Sequence, residues 1–317
     1  MRPITRAFLI CQVVTVVVAG TTAPAFAQMV PPRGEGSVSV LYQTYTVNKH
    51  LIADGTGVDA GTVTARGLMV DFTVGLGKSF GLSVGVPVIS AKYDGAFPHD
   101  TLTEEERRLH PDFRLLDDGK FHSAWQDLRV ELRYATHVNN LHIAPYVKFI
   151  LPTHDYEYLG HATVGRNIME ARIGVAFHRT LSPWSASSYV MSHVAYAFQE
   201  QVTGPYRGAT HLAIEGGHFL RRDLSVTGSA MIHVTHGGLD WIGPPRAQYS
   251  GMDFLNHDRC ARERMFNLGV GASYSVADKS FVLVSVARTL WGINGHSQAF
   301  LLTVGFSRSF GRAAHDH

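Results

Sequence analysis

Cysteine is nearly missing from this sequence. Only Cys11 and Cys260 occur in 317 residues. Cys11 lies in an N-terminal stretch that reads as a removable leader, so the mature chain has one thiol and no internal disulfide. A surplus of charge of either sign is missing too. The formal net charge of +2 leaves no basic stripe able to track a phosphate backbone, which excludes nucleic acid as a partner. Beyond the leader there is no apolar run of the roughly 20 residues that a membrane-spanning helix takes. Solenoid-type repeats and low-complexity tracts are also absent. Such a chain either folds in water or crosses a bilayer as closed strands, since hydrocarbon admits only helices and barrels.

The leader carries Arg2 and Arg6, an apolar stretch from Ala7 to Ala19 broken by Gln12 and Thr15, and the small-residue site Ala25-Phe26-Ala27 before Gln28. That order predicts a cleavable secretory signal over residues 1–27. Cys11 lacks the preceding small residues of a lipoprotein cleavage site, so no lipid anchor is expected.

What is abundant is alternation. Leu128, Val130, Leu132 and Tyr134 interleave with Arg129, Glu131 and Arg133, so one strand face is greasy and the other charged. Leu68 to Leu76 repeat the pattern against Met69, Asp71, Thr73 and Gly75, and Leu141 to Leu151 repeat it against His142, Tyr146 and Lys148. The pattern returns with Ile173, Val175 and Phe177 against Glu170, Arg172 and His178, and with Val226, Ala230 and Ile232 against Ser225, Thr227 and His233.

The alternation predicts about twelve strands of the length a tilted membrane strand needs. They lie near Ser37–Val47, Val63–Leu76, Leu82–Ala91, Trp125–Thr136, Leu141–Leu151, Asn167–His178, Ser187–Phe198, Ala209–Phe219, Leu224–Thr235, Met265–Val276, Ser280–Arg288 and Gln298–Phe310. Links after even-numbered strands are tight, as at Val138-Asn139-Asn140 and Ala277-Asp278-Lys279. Links after odd-numbered strands are mostly long and polar, as over Lys92–Ala124, Pro152–Arg166 and His236–Arg264. Sorting loops by parity is the signature of an outer-membrane barrel, with turns on the periplasmic rim and loops outside.

The expected fold is therefore all-β: a transmembrane antiparallel up-and-down barrel over residues 28–310, with a short periplasmic tail over 311–317. Phe300, Leu302, Val304, Phe306 and Phe310 share one face of the last strand, which ends in an outward aromatic. Barrel-assembly machinery, outer-membrane lipid and lipopolysaccharide are the implied partners. Within the first long loop, Thr103 and Glu106 form a capping-box pattern that predicts a short helix, as part of an external lid or an inward plug.

The sequence resembles a family of bacterial outer-membrane barrels named for transport in the meta-cleavage pathway of phenol degradation. The matching pieces are Trp125-Gln126-Asp127-Leu128-Arg129, Leu151-Pro152-Thr153-His154-Asp155-Tyr156, Gly165-Arg166-Asn167 and Arg288-Thr289-Leu290-Trp291-Gly292-Ile293-Asn294. The family usually has Gly where His154 stands and a Gly-rich approach where this chain has His122-Ser123-Ala124. The resemblance implies an outer-membrane channel for passive uptake of small solutes, hydrophobic or aromatic ones among them.

The polar strand face predicts a lumen lined by Asp71, Arg129, Glu131, Arg133, His142, Lys148, Glu170, Arg172, His193, His211, Glu215 and His233. A barrel of about twelve strands falls between those filled by side chains and those with an open channel, so a narrow or partly occluded pore is expected. The mixed charge reads either as acid and base neutralising one another or as a selective constriction.

A barrel-embedded lipid acyl hydrolase is the enzymatic alternative. His233-Val234-Thr235 is a loose match to a His-x-Ser pattern in which His activates a nucleophile, but Thr replaces Ser and both side chains turn inward. A plugged structural or adhesive barrel is the third class. The 18 histidines show no zinc-type spacing. His154, His161, His236, His257 and His296 are expected in or near exposed loops, with no metal or cofactor.

Overall fold

The computed structural model describes residues 29–204, 206–242 and 245–311. The expected leader (1–27) and all of the expected tail except Gly311 lie outside the described residues.

Twelve long strands follow one another antiparallel: β1 (Gly36–Leu51), β2 (Thr62–Gly75), β3 (Phe80–Asp94), β4 (Leu128–Tyr134), β5 (Leu141–Leu151), β6 (Glu170–Leu181), β7 (Ser185–Gln199), β8 (Gly208–Arg221), β9 (Leu224–His236), β10 (Arg264–Ala277), β11 (Ser280–Ile293) and β12 (Gly295–Phe310). Each pairs with its sequence neighbours, and β12 pairs back onto β1 from Gly36↔Phe310 to Leu51↔Gly295. The sheet is thus a closed barrel without free edges. Short pieces at Gly57–Val58, His122–Trp125 and Thr136–Val138 extend it.

Period-two side chains explain which surface faces where. Val38, Val40 and Tyr42 on β1, Leu68, Val70 and Phe72 on β2, and Val282, Val284 and Val286 on β11 are all exposed. Ile173 is 60% exposed and Val270 62%, values that no second protein layer would allow. The alternate residues Leu41, Met69 and Leu283 are buried against one another. A continuous apolar outer band of this kind is far larger than soluble monomers carry. Aromatics mark its rims: Phe72 stacks on Phe310 and Phe80 lies against Tyr134 at the tight-turn end, while Trp125, Phe198 and Trp291 are exposed at the other. Among the described residues no helix is long and apolar enough to cross a membrane.

Two expectations need correction. The strand foreseen over Trp125–Thr136 is broken at Gln126-Asp127 and again at Ala135. Both breaks lie opposite prolines, which cannot donate to a ladder: Pro87 on β3 accepts the Gln126 N–H at 2.8 Å, and Pro145 on β5 faces the second gap. The link expected between Arg288 and Gln298 is not a loop. β11 runs to Ile293, and Asn294, at φ +49°, makes the turn. The Thr103 capping box is present, with the Glu106 N–H donating to Thr103 Oγ1 at 3.2 Å on a helix over Glu104–Leu109.

Candidate functional site

Residues directly opposite in an antiparallel ladder point to the same side, so the register shows which side chains share the interior. Asp71 faces Gly85, and Gly85 faces Arg129. Glu131 faces Lys148, and Lys148 faces Arg172. Glu170 faces Ile150, and His142 faces His178. His193 faces Ala176, Glu215 faces Met191, and His211 faces His233. With Arg133 two residues beyond Glu131, all twelve expected lumen residues lie on the interior side.

They are not evenly spread. β4, β5 and β6 carry a dense charged wall. Glu131 accepts from Arg133 Nε at 3.0 Å and has Lys148 Nζ at 3.5 Å. Glu170 is held by Arg172 and Gln199, and Arg166 joins it at 3.4 Å. These pairs form along a strand, between positions i and i+2 on one face, as much as across strands. The neutralisation expected between neighbouring strands therefore accounts for only part of the wall.

Arg129 and Asp71 stand apart. The Arg129 guanidinium reaches Met69 Sδ at 3.2 Å, and among the described residues it forms no ion pair. Gly85 makes room for the approach of Asp71, since a Cβ there would lie 1.8 Å from Asp71 Oδ1. Sequence alternation could not single out Gly85, whose role is to be small between two charges.

The facing wall is made of hydroxyls and small residues. Ser39 donates to Ser307 at 2.8 Å, Gln43 to Thr303 at 3.0 Å, and Ser225 and Ser273 share a bond of 2.8 Å. Where the two walls meet lies a small cavity of about 80 Å³, bordered by His193, Glu215, Ser229, Met231, Ser285 and Thr303. A charged wall opposite a hydroxyl wall sets a field across the lumen, which can orient a dipolar solute.

The outer end of the lumen is filled by the loops themselves. Ala162 and Leu116 pack against Tyr45, Val47, Val63, Ala65, Ala91, Tyr93 and Leu301, all interior residues of β12, β1, β2 and β3. Tyr156 and Val164 pack on Ile89. The segment between β5 and β6 therefore dips into the mouth as a plug, and the loop between β3 and β4 contributes to it.

Three of the sequence pieces that carry the family resemblance converge here, and the fourth, through Asn294, holds the β9–β10 loop. The Tyr156 hydroxyl donates to Asp127 at 2.5 Å and accepts the Asn167 N–H at 2.9 Å. Asn167 donates to Asp155, and Gln126 Nε2 donates to the Val164 carbonyl at 2.6 Å. Asn294 donates to Asp240 at 2.8 Å and accepts the Trp241 N–H at 2.9 Å. Burial and the Asp127 carboxylate push the Tyr156 phenol well above its ordinary range.

The other long loops lock onto the plug. His110 Nε2 lies 3.0 Å from Glu157, which also accepts the Arg114 N–H at 2.8 Å. Arg259 donates to the Asn167 carbonyl and lies over the Tyr158 ring at 4.1 Å. Arg207 donates to the carbonyls of Ala261 and Arg259 at 2.9 Å each. Burial lowers this guanidinium to about 9, so it stays charged at neutral pH.

The histidines correct a further expectation. His161, His257 and His296 are fully buried rather than in exposed loops: the loops carrying His161 and His257 turn inward, and His296 lies on β12, paired with His50 of β1. Asp117 accepts the backbone N–H groups of His99, His161 and Ala162 and sits 3.1 and 2.8 Å from the Nδ1 atoms of His99 and His161. Burial pushes its carboxyl up, but the hydrogen bonds from His161 and His99 outweigh that and hold it well below the usual range. Burial lowers His161 to about 4 against the opposing pull of Asp117, which leaves a neutral imidazole.

The hydrolase alternative finds no dyad here. Thr235 Oγ1 donates to the backbone carbonyls of Glu263 and Ala261 at 3.1 and 3.4 Å, and His233 Nδ1 faces His211 Nδ1 at 3.1 Å. Neither side chain meets the other as base and nucleophile.

No protein-family profile and no curated protein matches the sequence. Solved structures do match in fold. An outer membrane channel from Pseudomonas putida F1 superposes with a TM-score of 0.65 at 15% identity, over 92% of this chain and 100% of that one. The translocator domain of an autotransporter from Neisseria meningitidis gives 0.51 at 7% identity, over 90% and 91%. At such identities the likeness is one of fold.

Proposed function

We propose that the chain is an outer-membrane channel for passive uptake of small solutes, gated by its own inward-folded loops. The observation that carries this reading is a closed barrel with an apolar outer band and an interior cavity between a charged and a hydroxyl wall. Such a body is soluble only in lipid or detergent. The short turns then face the periplasm, the loops face outward, and the barrel's partners are membrane lipid, lipopolysaccharide and the assembly machinery. The Pseudomonas channel supports the reading by its shared fold.

For the solute class we favour compounds with an apolar or aromatic body and a polar group. The wall that the plug covers, and that its undocking would expose, carries Tyr45, Val47, Val63 and Leu301, and the cavity below it offers hydroxyls, His193 and Glu215. A phenol-like molecule fits both surfaces. This agrees with the resemblance to the phenol-degradation transporter family, which rests on short motifs.

The test is reconstitution into liposomes, with swelling rates for small sugars and monocyclic phenols. The expected result is flux above protein-free vesicles, larger for phenols. No flux from the intact chain, or from a chain whose residues 156–164 are replaced by a short Gly-Ser link, would leave a plugged structural barrel instead.

A further inference from the structure

We propose that the buried histidines where the plug meets the barrel wall form an acid-sensitive latch, which holds the plug docked at neutral pH and releases it as they take up protons. Only its effect on flux rests on the gated-channel reading. His50 of β1 and His296 of β12 stand directly opposite in the ladder, with ring centroids 4.4 Å apart. His161, from the β5–β6 loop, lies 5.8 Å from His50, and His99, from the β3–β4 loop, lies 4.8 Å from His161. His257, from the β9–β10 loop, is 5.8 Å from His99. The five rings form one contiguous file from the wall through three loops, and none is more than 4% exposed.

The groups that face the file decide the sign. Asp117, on the β3–β4 loop, lies 3.1 and 2.8 Å from the Nδ1 atoms of His99 and His161. It already accepts three backbone N–H groups. Asp258, on the β9–β10 loop, lies 3.5 Å from His257 Nε2. From β3 comes Tyr93, stacked on His161 at 3.9 Å with its hydroxyl donating to the Ala60 carbonyl. Trp241 meets His296 edge-on at 5.7 Å, and the neighbouring Asp240 is taken by Arg262 at 2.9 Å. His296 forms no ion pair among the described residues, and both its ring nitrogens are buried without a hydrogen-bond partner.

Five imidazoles therefore share two carboxylates. One proton can be balanced by Asp117, but further protons set cation beside cation away from water, which is costly. Even beside Asp117, burial wins at His161 and lowers it from 6.5 to about 4. A ring lowered while docked binds its proton more tightly once released. Its support for docking is complete above about pH 6.5 and is lost as the pH falls from there toward about 4. Asp117 acts in the same direction further down, because its carboxyl is held below the usual range while docked. For His161 alone, the undocked population rises about 30-fold from about pH 7.5 to about pH 5, and every further ring that behaves alike steepens the response.

The experiment uses the full chain, in detergent and in planar bilayers. Hydrogen exchange of residues 156–164, corrected for the intrinsic amide rate, reads docking without reference to flux, and open probability reads the gate. From about pH 7.5 to about pH 5 protection should fall about 30-fold or more, reversibly, with the gel mobility of a folded barrel retained. His161→Asn, which keeps a donor near the Nδ1 position, and His296→Gln should each make the response shallower. His137→Gln and His218→Gln, exposed rings at the tight-turn end, should leave it unchanged.

Flat protection over that range overturns the latch, and so does a fall that persists undiminished in both His161→Asn and His296→Gln. Should either variant not fold, the slope in the unaltered chain decides. A fall of roughly tenfold per pH unit or steeper between about pH 6 and about pH 5 is expected, and one of less than about threefold overturns the latch. Protection that falls without a rise in open probability supports the latch and counts against the gated channel instead.

Discussion

If the plug gates the lumen, Tyr156→Phe should open it. Tyr156 is buried, and its hydroxyl serves two partners at once, donating to the Asp127 carboxylate at 2.5 Å and accepting the Asn167 N–H at 2.9 Å. Deleting the oxygen removes a hydrogen bond to a charged group, valued at about 1.5–3 kcal/mol, and leaves the Asn167 N–H without its partner. The apolar ring stays against Ile89 and Val164, so the barrel wall should not change.

A loss of about 2–3 kcal/mol from the docked state alone, at about 1.4 kcal/mol per tenfold, raises the undocked population roughly 30- to 140-fold. The assay is single-channel recording in planar bilayers, comparing open probability for the native and Tyr156→Phe barrels. Asp127→Asn, which keeps an acceptor but removes the charge, should give a smaller increase. An open probability within about twofold of native, in a barrel with native gel mobility, would refute the idea that this contact holds the gate.

Other outcomes follow from the same geometry. Val270→Arg on the outer face should cost about 2–4 kcal/mol of folding stability in bilayers, measured by denaturant titration in vesicles, while Ser285→Arg in the lumen should cost less. Equal costs would remove the case for lipid contact. Arg129→Ala with Arg133→Ala should shift reversal potentials toward cation preference. Unchanged selectivity would mean the charged wall is structural. Gly85→Val should displace the Asp71 carboxylate and lower conductance with little change in stability, and unaltered conductance would place Asp71 outside the solute path. His233→Ala should release no less fatty acid from lipid vesicles than the native chain, both at background, whereas turnover lost with His233 would restore the hydrolase reading.

Much of the barrel was legible before any coordinates. The faces of β2, β4, β5 and β9 follow from period-two alternation alone, because whether Val70 or Asp71 meets lipid is decided residue by residue. The capping box at Thr103 is equally local. The breaks in β4 had a readable signal in Pro87 and Pro145, but on neighbouring strands rather than on the broken one. The extension of β11 to Ile293, with the turn at Asn294 alone, had none, since Gly292 and Gly295 look like loop residues in isolation.

The sequence by itself determined the strand set, its inside and outside, and the rim on which the loops gather, because each depends on short-range periodicity and on turn length. The tertiary structure alone decided that those loops turn inward, that Asp71 leans over Gly85 toward Arg129, and that His99 and His161 meet on the buried Asp117 carboxylate. The physical reason is volume. Twelve strands enclose more space than their own side chains fill, and what fills it comes from segments without periodicity, whose burial is set by the hole they enter.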